Sequence, residues 1–136
     1  MEPIDAACEP LLSAARAAAL SAHCPYSRFR VGAAVRASGR VFTGGNIENA
    51  SYGLTVCAER CAIFRAVGEG VRAIDAVAVS CIDAVGGPPG ARMPCGACRQ
   101  VLAEFMGPEG TVIVDGVGVF RLSELLPTPF ALRADP

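Results

Sequence analysis

The chain has no tryptophan, no lysine and a single histidine, His23. No apolar run approaches the length of a membrane span, so no transmembrane helix is expected. Its 12 basic residues, all arginine, stand against 13 acidic ones, for a net charge of −1. That balance offers no electrostatic footprint for a polyanion, so no nucleic-acid partner is expected. The arginine-only usage carries no functional reading. The alanine-rich N-terminal stretch is interrupted by Asp5, Glu9 and Arg16 and lacks a basic leader, so no signal peptide is expected. There is no internal repeat and no long linker, and residues 1–136 are expected to form one domain with a real apolar core. His23, beside Cys24 and Pro25, reads as a partner for a helix C-terminus rather than a metal ligand.

What the chain does have is apolar surface and sulfur. Hydrophobic residues make up 52%, which points to buried helix faces and oligomer interfaces. Seven cysteines stand at positions 8, 24, 57, 61, 81, 95 and 98. An odd number without a secretion signal argues against a disulfide framework and for a reduced, cytoplasmic setting with metal ligands. Cys8, Cys24 and Cys81 sit singly among apolar neighbours and read as small buried hydrophobes.

Periodicity sets out the elements. Ile4, Cys8, Leu11, Leu12, Ala15 and Ala19 recur at helical spacing, predicting an amphipathic helix over 4–22, closed by Pro25. Residues 30–37 and 40–46 flank Ser38-Gly39 and predict an antiparallel hairpin. A helix is predicted over 57–67, a buried strand over 73–82 and a loop at 86–90. A second site-bearing helix follows over 95–106, then short strands over 111–115 and 117–121 and a helical turn over 123–126. This order implies an α/β fold, a mixed sheet with helices on its faces.

The chemistry concentrates in Cys57-Ala58-Glu59 and Pro94-Cys95-Gly96-Ala97-Cys98. Three thiolates leave a fourth zinc position open for water, as a catalytic site requires, and the carboxylate beside them is spare for proton transfer. Each segment starts a predicted helix, where free N–H groups and the helix dipole favour thiolates. Three thiolates more than neutralise Zn²⁺. Arg60, and with less reason Arg99, is a candidate to offset that surplus by N–H···S contact. Asn46 and Glu48, one residue apart at a strand end, face the same side and suit sugar hydroxyls.

These motifs resemble cytidine deaminase, in its small, homotetrameric, three-cysteine form. The resemblance rests on Tyr26-Ser27-Arg28-Phe29-Arg30-Val31-Gly32-Ala33-Ala34, Asn46-Ile47-Glu48-Asn49-Ala50-Ser51-Tyr52, Cys57-Ala58-Glu59-Arg60 and Pro94-Cys95-Gly96-Ala97-Cys98-Arg99-Gln100-Val101-Leu102, and covers nearly the whole chain. It implies a three-layer α/β/α fold and one Zn²⁺ per chain on Cys57, Cys95 and Cys98. Cytidine and deoxycytidine would be the nucleoside substrates, deaminated for pyrimidine salvage. Zinc-activated water would attack C4 while Glu59 shuttles protons. Asn46 and Glu48 would hold the ribose, Phe29 would pack on the pyrimidine, and the Ala58 N–H would approach the base. Ala50 and Tyr52, from a neighbouring subunit, would lie near the 5′ end, and Phe130 would reach a neighbouring pocket. Residues 82–93 match no pattern of the family and leave the pocket rim open.

Other readings stand beside this one. Cys61, four residues after Cys57, could complete a closed four-cysteine structural zinc site. Cys95 and Cys98 alone allow redox use. Within enzymes, a blasticidin-type deaminase of modified cytosine nucleosides shares the same zinc logic.

Overall fold

The computed structural model describes residues 1–132. Its elements are α1 (Glu9–Ala19), β1 (Val31–Ala37), β2 (Arg40–Gly45), α2 (Ala58–Gly68), β3 (Ala76–Cys81), α3 (Gly96–Phe105), β4 (Thr111–Val114), β5 (Gly118–Arg121) and α4 (Leu122–Leu125). The five strands form one mixed sheet in the order β2-β1-β3-β4-β5. Only the β3–β4 pair is parallel, and α3 makes its crossover. No described helix is long and apolar enough to cross a membrane.

Strand alternation divides the core into two sides. Ala33, Val35, Ala37, Val77 and Val79 turn toward Ala58, Ala62, Ile63 and Ala66 of α2 and Leu102 of α3. Ala34, Ala76, Ala78 and Ile113 turn toward Leu11, Leu12 and Ala15 of α1. The result is the expected α/β/α sandwich. β3 is buried at every position, which is why it reads as an apolar run broken only by Ser80 rather than as an alternating one. The α1 side is lined with small residues because the helix lies almost on the sheet. A Cβ on Gly32 would sit 1.9 Å from the carbonyl oxygen of Ala15. The β1–β2 hairpin turns at Ser38 and Gly39, both at positive φ (53° and 72°), the backbone that a tight two-residue hairpin demands.

The first helix is shorter than its periodicity predicts. Residues 6–8 form a 3₁₀ turn capped by Asp5, and the α-helix starts only at Glu9, because Pro10 is tolerated only in a first turn. Beyond Ala19 the chain tightens into three-residue hydrogen bonds, Leu20 to Ala17, Ser21 to Ala18 and Ala22 to Ala19. The predicted strand over 73–82 narrows to Ala76–Cys81, with Ile74 donating instead to Phe105 O at the end of α3.

Candidate active site

The two sulfur-bearing segments share one local build. Cys57 (φ −68°, ψ 155°) and Cys95 (φ −69°, ψ 167°) are extended N-cap residues, of α2 and α3 respectively. Cys98 and Glu59 lie in the first turns of those helices. The two N-termini therefore converge, and their dipoles favour negative charge on the sulfurs.

Cys57 and Cys95 Sγ stand 3.8 Å apart, Cys95 and Cys98 Sγ 3.5 Å apart, and all three lie within 4.8 Å of one another. Sulfurs bound tetrahedrally to one zinc at about 2.3 Å are separated by about 3.8 Å, so the trio fits that ion. Cys61 is not in the group. The i, i+4 relation that suggested it holds only inside a helix, and Cys57 is an extended cap. Cys61 instead lines a separate apolar hollow with Ile47, Val56 and Phe64, and burial pushes its thiol up. The geometry gives the four-cysteine alternative no support: the group that could hold a metal ion is the expected Cys57, Cys95 and Cys98, and His23 also lies outside it.

The neighbouring Cys98 thiol and then the Arg60 guanidinium hold the Cys57 thiol below its ordinary range, while the proximity of Cys57 and burial push the Cys98 thiol up. Arg60 Nη2 donates to Cys57 Sγ at 3.4 Å. Arg99 does something else: its Nε donates to Pro94 O at 2.8 Å and its Nη1 to Leu125 O at 2.9 Å, tying the cysteine loop to α4.

Glu59 is only 4% exposed. Burial first, then the neighbouring Cys57 charge, pushes its carboxyl up to about 7. It opens into a cavity of about 420 Å³ with Cys57, Ala58, Cys95, Phe29, Asn46, Glu48 and Tyr52.

Asn46 and Glu48 reach that cavity because the β2 chain continues past Gly45 with pairing on both sides. Ile47 bridges Val56 and His23, Glu48 N donates to His23 O at 2.7 Å, and His23 N donates to Asn46 O at 2.9 Å. Alternation then turns Asn46 and Glu48 inward and Ile47 outward. Asn46 Nδ2 donates to Phe29 O, and Asn46 Oδ1 accepts from Val31 N, each at 2.9 Å. The Glu48 carboxylate accepts from the amides of Tyr26 (3.0 Å) and Ser27 (3.1 Å) and from the Ser27 hydroxyl. These bonds, the hydroxyl foremost, hold the Glu48 carboxyl below its ordinary range.

Ala50 and Phe130 do not line the cavity of the single chain and are exposed; the Phe130 carbonyl accepts from Gln100 Nε2 at 2.8 Å. Tyr52 lines the cavity yet is 68% exposed. The cavity also has walls that no motif announced, Thr55, Val79, Ala91 and Met93, and one, Ser27, that stood in a motif with no role assigned to it. Cys81 is buried as expected, but beside the site, and burial raises its thiol to about 12.

Residues 7–114 match the family of the cytidine and deoxycytidylate deaminase zinc-binding region. A cytidine deaminase of Mycobacterium tuberculosis is 49% identical over 118 residues, covering 85% of this chain and 83% of that one. A probable cytidine deaminase of Dictyostelium discoideum is 43% identical over 126 residues, covering 90% and 83%. Among solved structures, cytidine deaminase from Burkholderia pseudomallei superposes with a TM-score of 0.80 at 44% identity, over 90% of this chain and 98% of that one. Three sulfurs spaced for zinc, a buried carboxyl beside them and these likenesses agree, and the chain belongs to the cytidine and deoxycytidylate deaminase family.

Proposed function

We propose that the chain deaminates cytidine and deoxycytidine hydrolytically, giving uridine and deoxyuridine and releasing ammonia. The observation that carries this is the buried Glu59 carboxyl opening into the same cavity as Cys57 and Cys95 of the zinc-spaced trio, with Asn46 and Glu48 in its lining. Cys57, Cys95 and Cys98 would hold a zinc ion, which would supply water activated near neutral pH. Glu59 takes a proton from the attacking water and passes it to N3 of the base, then takes the proton of the new C4 hydroxyl and passes it to the leaving amine. Arg60 donates to Cys57 Sγ and offsets part of the thiolate charge.

Asn46 and Glu48 bind the ribose hydroxyls, Phe29 packs on the pyrimidine and the Ala58 N–H meets the base. An ionised Glu48 at the sugar repels phosphate, which favours a nucleoside over a nucleotide. The chain acts in the cytoplasm, in pyrimidine salvage, as a homotetramer. Exposed Ile47, Tyr52, Leu54 and Phe64 support that assembly. Ala50, Tyr52 and Phe130 then complete the cavity of a neighbouring copy.

A substrate panel tests the reading: cytidine, deoxycytidine, deoxycytidine monophosphate and blasticidin S, followed by the absorbance change on deamination. Turnover of both nucleosides well above the nucleotide is expected. Preference for the antibiotic would replace it with the blasticidin-type reading, and preference for the monophosphate would overturn the role of Glu48.

A further inference from the structure

Phe29 enters the cavity from a main chain held on both sides by side chains acting as strand partners. On the β2 side the Asn46 amide brackets it through Phe29 O and Val31 N. On the β3 side Asp83 takes hold of the next residue three times. Its Oδ2 accepts from the Arg30 amide at 2.8 Å and from Arg30 Nε at 3.0 Å, and its Oδ1 accepts from Arg30 Nη2 at 2.8 Å. The β1–β3 ladder ends at the Val31–Cys81 pair, so Asp83 lies just past it and extends the pairing with a carboxylate. The turn before Phe29 is not held by local preference, since Arg28 sits at φ 57°, a left-handed conformation uncommon for arginine. Asp83 also begins the Gly-Pro-rich segment that brings Ala91 and Met93 to the cavity. One carboxylate therefore joins two walls of the site while touching neither the cavity nor the sulfurs.

We propose that Asp83 is a positioning residue for the substrate, acting through Arg30 to hold Phe29 against the base. The proposal rests on the deaminase reading above. Phe29 meets the base in the ground state and in the transition state alike, so loosening it raises KM and leaves kcat nearly untouched. The forked, two-oxygen geometry plus an amide bond makes this pair worth more than an ordinary exposed ion pair.

The test compares Asp83→Ala, Arg30→Ala and the double variant in cytidine kinetics, with amide hydrogen exchange on the same proteins. Asp83→Ala loses all three bonds and should raise KM roughly tenfold, with kcat within about twofold. Arg30→Ala keeps its amide bond to Asp83 and should raise KM less, and the double variant should be no worse than Asp83→Ala alone. Exchange should quicken at amides 28–31 while the rest of β1 stays protected. Unchanged KM, a loss confined to thermal stability, additive effects or unchanged exchange would each overturn the proposal. If the wild type turns over no cytidine, the deaminase reading fails instead, and exchange alone decides whether Asp83 holds the Phe29 segment.

Discussion

Gly44 in β2 lies under the start of α2, and adding one carbon there tests how tightly the site depends on that helix. A Cβ at Gly44 would meet Ala62 N at 2.7 Å, Cys61 Cβ at 2.8 Å and Ala58 O at 3.0 Å. Ordinary contact for such atoms is about 3.5 Å, so in Gly44→Ala the helix has to withdraw by roughly half an ångström or more. Two of the three obstacles are backbone and cannot rotate away. Overpacking of this kind costs about 2 kcal/mol, which lowers Tm by about 7 °C in a chain of this size. The same displacement carries Ala58 and Glu59 away from α3 and its sulfurs. Catalytic groups tolerate about 0.5 Å of misplacement, so kcat/KM for cytidine should fall between about tenfold and a hundredfold. Gly68→Ala is the control, since it lies in the same helix with nothing within 4 Å of the added carbon. Its Tm should hold or rise slightly. Calorimetry and steady-state rates on both variants decide the matter. A Gly44→Ala protein with wild-type Tm and kcat/KM would refute the claim that α2 rests directly on β2 and fixes the site.

Glu59→Gln should keep zinc and fold but lower turnover by several orders of magnitude, and a near-normal rate would remove Glu59 from proton transfer. Cys95→Ala should lose zinc and stability together, because metal binding is coupled to folding; Cys61→Ser should keep one zinc per chain, and metal analysis of both checks the three-sulfur set. Arg30 holds the Asp83 carboxyl down to about 2, through its side chain first and its amide next. A carboxyl lower in the folded state than unfolded stabilises above its ordinary value of about 4 and loses that effect as pH falls toward 2. Asp83→Asn should therefore flatten the acid limb of the Tm-versus-pH curve, and an acid limb identical to the wild type's would contradict the pairing.

The parts of the site legible in the sequence are those whose chemistry is local. Cys57, Glu59, Cys95 and Cys98 occupy two short helix starts, and caps and first turns are set by neighbouring residues. Asn46 and Glu48 obey strand alternation even past the end of β2, because Ile47 keeps pairing with Val56 and His23. Cys61 stays apart from the trio because helical spacing does not extend to Cys57, which caps the helix without joining it. The hydrogen bonds of Arg99 could not be foreseen, since Leu125 arrives from a distant part of the chain. Ser27 stands in a resembling motif without a role of its own, and Met93 in none, for a related reason. Ser27 matters through a carboxylate 21 residues away, and Met93 through a segment without periodicity. Residues 4–22 kept their helical face, but Pro10 decided where the α-helix begins.

Three cysteines that hold one zinc in a site that deaminates a cytosine nucleoside would show both properties in one protein. The most direct measurement determines zinc per chain on the same preparation in which loss of cytidine absorbance is followed. One zinc per chain with conversion of cytidine to uridine is the predicted result. One zinc per chain with no turnover of any cytosine nucleoside would contradict it and leave the metal a structural role.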